Sequence, residues 1–159
     1  MFDTRAIEAN RQKLLDGLAA GFVSTLVMTG LMLAAPALGG AALPSVAARA
    51  IVGLRAHPLV AIVAFLVHFA YGSLAGGLFT VGTQSITLRR GVIYAAGMWG
   101  LAFTVYAPLA GLGFLASHEP ALAVVAIPAH LLYGVALGAL APRGEIVQPI
   151  EAPQLVSQQ

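Results

Sequence analysis

Apolar residues fall along this chain in four long blocks separated by short polar connections. The blocks cover about Gly17–Leu38, Pro58–Val81, Gly91–Leu115 and Pro120–Ala141. Each reaches the roughly 20 residues that a helix needs to cross the hydrocarbon core of a bilayer. The pattern predicts an all-α fold, an integral membrane four-helix bundle. Residues 1–16 read as a polar N-terminal arm. Between the first two spans, in "GGAALPSVAARAIVGLRAH", Ser45 can cap a short interfacial helix with Arg49 and Arg55 reaching toward headgroups. The 116–119 connection, "ASHE", reads as a tight hairpin. The tail 142–159, "PRGEIVQPIEAPQLVSQQ", has three prolines and no periodicity, and is expected to be disordered.

The pattern also repeats. "HFAYGSLAG" at residues 68–76 returns as "HLLYGVALG" at residues 130–138, both of the form His-x-x-Tyr-Gly-x-x-x-Gly. A shift of 62 residues overlays the second span on the fourth, matching Pro58 with Pro120 as well as the motif. A shift of 70 overlays the first span on the third more faintly, placing Gly21 on Gly91, Met28 on Met98 and Gly30 on Gly100. The spans are therefore expected to form two tandem helical hairpins, a parallel repeat.

Geometry follows from the repeat. Each motif histidine comes ten residues after its span's opening proline, about 15 Å into a core roughly 30 Å thick. His68 and His130 should share one depth near the midplane. On each helix the His, Tyr and two Gly form a stripe, and small residues in it let a neighbouring helix approach closely. Tyr71, Gly72, Gly76, Tyr133, Gly134 and Gly138 are accordingly expected to face protein, with the second and fourth spans meeting near the centre.

Composition makes the membrane reading firm. Hydrophobic residues are 59% of the 159 and charged ones 9%, with a mean hydropathy of +0.89; soluble domains run near 45–50% and 25%. The first run, from Leu18 to Leu38, exceeds the h-region of a signal peptide and is expected to be retained. The absence of cysteine excludes disulfides, thiolate metal sites and iron–sulfur clusters. Charge placement sets the direction. Arg5, Arg11, Lys13, Arg89, Arg90 and Arg143 lie on the side of the termini, against Arg49 and Arg55 on the other. By the positive-inside rule both termini are expected in the cytoplasm, with the chain multi-pass in the cytoplasmic (inner) membrane.

Candidate chemistry centres on the two histidines. An intramembrane ionisable residue invites a functional reading, and three remain open. The stripe can serve packing alone, in a non-enzymatic structural or accessory subunit that forms a homo-oligomer or joins a larger membrane complex. His68 and His130 can be axial ligands of a b-type haem, two imidazoles at matching depth beside small residues. Or they can pass protons or ions with Tyr71 and Tyr133. A zinc site lacks a third ligand at that depth, and His57, His118 and Glu119 lie at the outer surface. Ser24, Thr25 and Thr29 are expected to bond back to their own helix or to a neighbour, and Trp99, Tyr94 and Tyr106 to fill the bundle core or meet a partner. Pro36, Pro108 and Pro128 are places where a helix can break. No nucleotide loop, activated nucleophile or basic nucleic-acid surface is present in the sequence, so neither enzymatic activity nor nucleic-acid binding is expected.

With "GMWGLAFTVYAPLAGLGF" ahead of the second motif, the chain resembles small uncharacterised four-span bacterial and archaeal membrane proteins. These are distantly similar to the YagU-type inner-membrane proteins, one of which is linked to acid resistance. The resemblance covers residues 90–159 best and carries His68, Trp99, Pro108, Gly111, Gly113, His130, Tyr133, Gly134 and Gly138. It implies the fold and the membrane, and no mechanism.

Overall fold

The computed structural model describes residues 4–34, 58–109 and 111–142. Four long helices account for most of them: α1, Thr4–Ala34; α2, Pro58–Gly82; α3, Leu88–Leu109; and α4, Pro120–Leu140. All four are long and apolar enough to cross a membrane. Large apolar side chains cover their outer surface, with Leu66 65%, Leu78 68% and Leu109 81% exposed. Such a surface is stable against lipid and costly against water. The all-α membrane bundle expected from the sequence is the fold observed.

The helix limits follow local chemistry. Pro58 and Pro120 open α2 and α4, where a missing N–H costs nothing. Thr87 caps α3 by accepting from the Arg90 N–H at 3.2 Å, while the Arg90 guanidinium donates to the Ser85 carbonyl and hydroxyl. Two boundaries differ from those read in the sequence. The N-terminal arm is helical from Thr4 and continuous with the first span, because its Ala, Glu, Gln, Lys and Leu residues favour helix even where they are polar. The third span ends at Leu109 rather than Leu115. There Gly111 and Gly113 adopt φ of +76° and +78°, which turn the chain back into a 3-10 turn at Phe114–Ala116. The 39–57 connection, with His57 and the expected short helix capped by Ser45 and carrying Arg49 and Arg55, lies outside the described residues, as do Pro36 and the tail beyond Pro142.

The prolines act differently from one another. Pro128 sits inside α4 without ending it. Ahead of Pro108, α3 widens into a π-helical turn over Ala102–Tyr106, where the Ala107 N–H donates to the Ala102 carbonyl five residues back. The extra residue makes room for the proline ring against the preceding turn.

Glycines set the packing. α1 packs on α2, α3 on α4, and α1 on α4. A methyl group at Gly21 would lie 2.5 Å from the Gly72 carbonyl oxygen and 2.9 Å from the Gly76 Cα. In the second hairpin a methyl at Gly91 would collide with the Gly134 carbonyl and lie 3.0 Å from the Gly138 Cα. The two hairpins thus use corresponding glycines for the same close approach. The second and fourth spans meet near the centre through Tyr133, whose hydroxyl reaches Gly72, while their glycines pack on other helices. Gly72 and Gly76 pack on α1, against Thr25 and Gly21, and Gly134 and Gly138 on α3, because a residue without a side chain lets a neighbouring helix come this close.

Hydrogen bonds tie the hairpins together. The Tyr133 hydroxyl donates to the Gly72 carbonyl at 2.7 Å, α4 to α2, and the Tyr94 hydroxyl to the Ala75 carbonyl at 2.8 Å, α3 to α2. Trp99 donates its indole N–H to the Ala123 carbonyl at 3.0 Å. Buried Ser24, Thr25 and Thr29 donate to Ala20, Gly21 and Thr25 carbonyls on their own helix, each at 2.7 Å, as expected.

The glycine contacts generate a direct comparison. Gly21→Ala and Gly91→Ala should each cost about 1–3 kcal/mol through overpacking, whereas Gly97→Ala, with open space around its Cα, should be neutral or slightly stabilising. Thermal unfolding in detergent, followed by circular dichroism, checks the order. Tyr133→Phe should cost about 0.6 kcal/mol, the average for one hydrogen bond between membrane helices, measured the same way.

Candidate functional site

Beyond the glycine contacts the four helices line a partly open cavity of about 170 Å³. It runs from Thr25, Gly72 and Tyr133 toward the end of the bundle opposite the termini, where Leu112 and Leu122 line it. Both motif histidines line it, His68 from α2 and His130 from α4. The shared depth inferred from the repeat therefore brings them to one space.

Their surroundings are not equivalent. His130 Nδ1 lies 2.8 Å from the Ala126 carbonyl one turn back. A carbonyl only accepts, so Nδ1 carries a proton, and in the neutral ring Nε2 keeps its lone pair. His68 Nε2 is buried and has no hydrogen-bond partner among the described residues. Buried polar atoms are nearly always paired, so this one calls for an explanation. Phe69 stacks edge-on to the His68 ring at 5.9 Å between centroids and packs against Phe22 at 5.2 Å, which fixes the ring from the α1 side.

The tyrosines of the repeat also diverge. Tyr133 is 4% exposed and spends its hydroxyl on Gly72. Tyr71 is 47% exposed and stands at the cavity wall. Gly72, Gly76, Gly134 and Gly138 are buried as expected, whereas Tyr71 borders the cavity with about half of its surface uncovered. The reason is rotational: α2 turns Gly72 onto Thr25 of α1, and a residue one step earlier lies about 100° around the helix.

Tyr106, expected in the core or against a partner, is 42% exposed and lines the cavity, while Trp99 and Tyr94 are half-buried between helices. His118 sits in the outer connection with Nδ1 3.1 Å from the Gly111 carbonyl. No cluster of three or more His, Cys, Asp or Glu suited to a metal occurs among the described residues. Methionine was the residue type missed. Met28 and Met32 of α1 and Met98 of α3 all line the cavity, and the sequence holds only one other, Met1. The match of Met28 with Met98 under the 70-residue shift was the available signal.

Residues 11–148 match the model of a family of unknown function, DUF6789. No match was found among curated proteins or solved structures. The match bears out an uncharacterised family and gives no support to the YagU-type likeness expected from the motif. Spanning most of the chain, from the polar turns of α1 past the end of α4, it makes this protein a member of the DUF6789 family.

Proposed function

We propose that the protein is a non-enzymatic membrane protein that holds a small guest in the cavity between its four helices. The observation that carries this reading is the hollow itself. A bundle built only for packing would continue its glycine contacts along its length, yet here close packing gives way to a space walled by two histidines, three methionines and two tyrosines with exposed rings. His68 Nε2, buried and without a partner among the described residues, supplies a contact waiting for a guest.

Size narrows the guest. A cavity of about 150 Å³ accommodates benzene, so 170 Å³ favours a molecule or ion of that scale over a haem macrocycle held between His68 and His130. Passage of ions through one chain is disfavoured too, since backbone lies against backbone at Gly21–Gly76 and Gly91–Gly138. The repeat of glycine contacts supports duplication of one ancestral hairpin. The bias of six basic residues to two supports cytoplasmic termini in an inner membrane, with the cavity in the outer half. A homo-oligomer or larger membrane complex would receive or supply the guest.

Xenon binding tests the cavity, with the methionine methyl groups as NMR reporters in lipid nanodiscs. Saturable shifts of Met28, Met32 and Met98, with Met1 unmoved, are expected, and Ala126→Leu should abolish them by filling the space. Absence of saturable shifts would contradict the reading. Orientation is checked separately, because the native chain has no cysteine. In intact cells Ser117→Cys should react with an impermeant thiol reagent and Gln84→Cys should not.

A further inference from the structure

The cavity brings together an unusual set of side chains for a membrane interior. Thioethers come from Met28 and Met32 on α1 and Met98 on α3, and imidazoles from His68 on α2 and His130 on α4. Every helix contributes. Every methionine of the sequence except Met1 is used, and two of its four histidines. We propose that these five residues form a binding site for Cu(I), a soft monovalent cation; the assignment rests on the cavity being a binding site, as argued above.

Donor chemistry selects the ion. Thioether sulfur is a soft ligand that suits Cu(I), and imidazole binds it as well. Mg²⁺, Ca²⁺ and Mn²⁺ need carboxylate or carbonyl oxygen, and no acidic side chain lines the cavity. Structural zinc takes thiolate, imidazole or carboxylate rather than thioether. Charge points the same way. All five candidate ligands are neutral side chains, of which Cu(I) would take three or four, so it would bring a single positive charge into a low-dielectric interior, half the charge of a divalent ion.

Geometry supports the same ion. A metal-binding histidine commonly gives its other N–H to a carbonyl, which fixes the tautomer and aims the free nitrogen. His130 has this arrangement already, its Nδ1–H on the Ala126 carbonyl, which in the neutral ring leaves Nε2 as the free nitrogen. His68 Nε2, buried with no partner among the described residues, would gain one in the metal. Methionine has three rotatable bonds and can swing its sulfur inward without moving the backbone. Met28 and Met32 are one helical turn apart and therefore share a face.

The test is anaerobic titration of the full-length protein in nanodiscs with Cu(I), against the chelator bicinchoninate, with Ag(I) as a redox-inert second probe. One Cu(I) per chain should be retained, with sulfur and nitrogen scatterers in the X-ray absorption spectrum, and Zn²⁺ should not compete. Leucine replaces methionine at nearly constant volume, so Met28→Leu/Met32→Leu/Met98→Leu should stay folded and monodisperse while losing about tenfold or more in affinity. His130→Ala should lose a similar factor. No retention by the wild type, or equal retention by the leucine variant, overturns the assignment. Xenon entry distinguishes the two failures. If xenon enters and Cu(I) is not held, the cavity stands and the copper site falls; if neither binds, both readings fall together.

Discussion

Backbone contact between helices at glycine is the constraint on which the rest of this structure depends. Lipid tails are as apolar as leucine, so helices in a bilayer gain little by hiding apolar side chains from it and associate through close packing and hydrogen bonds. At Gly21 against Gly72 and Gly76, and at Gly91 against Gly134 and Gly138, no side chain stands between the helices. These contacts hold each hairpin together near the termini. α1 then joins the hairpins by packing on α4, and Tyr133 and Tyr94 bond both α4 and α3 to α2.

The cavity is the counterpart of that closeness. Toward the far end the glycines give way to methionine, histidine and aromatic side chains, and α3 widens by one residue at its π-helical turn before Pro108. Phe103, Ala107, Ala116 and Ala123 close the end in a small cluster of their own. Ala116 is fully buried there at φ +54°, a conformation that alanine adopts only when packing demands it. Between the two packed ends lies a space that both histidines reach. A structural role for the fold and a binding role for its interior are therefore compatible, because different residues carry them.

Much of this was legible in the sequence. Blocks of apolar residues gave the four spans, and the repeated His-x-x-Tyr-Gly-x-x-x-Gly, read with the helical rise, gave two histidines at one depth. What was not legible depended on rotation and on local backbone. Hydropathy registers apolarity alone, so it missed that α1 begins at Thr4 among helix-favouring polar residues. It also ran the third span through Gly111–Leu115, where positive φ at two glycines turns the chain. A one-residue difference around α2 separates buried Gly72 from half-exposed Tyr71, and no spacing rule told which helix each glycine stripe would meet. Met28, Met32 and Met98 read as ordinary apolar filler until the fold placed them around one cavity.

The most direct measurement of the central claim is solid-state NMR of glycine-labelled protein in lipid bilayers, recording through-space correlations between helices. The account predicts cross-peaks linking Gly21 with Gly76 and Gly91 with Gly138, both lost in variants that separate the hairpin partners. Helical protein that lacks both contacts would contradict it, for then the packing that shapes the cavity would not exist.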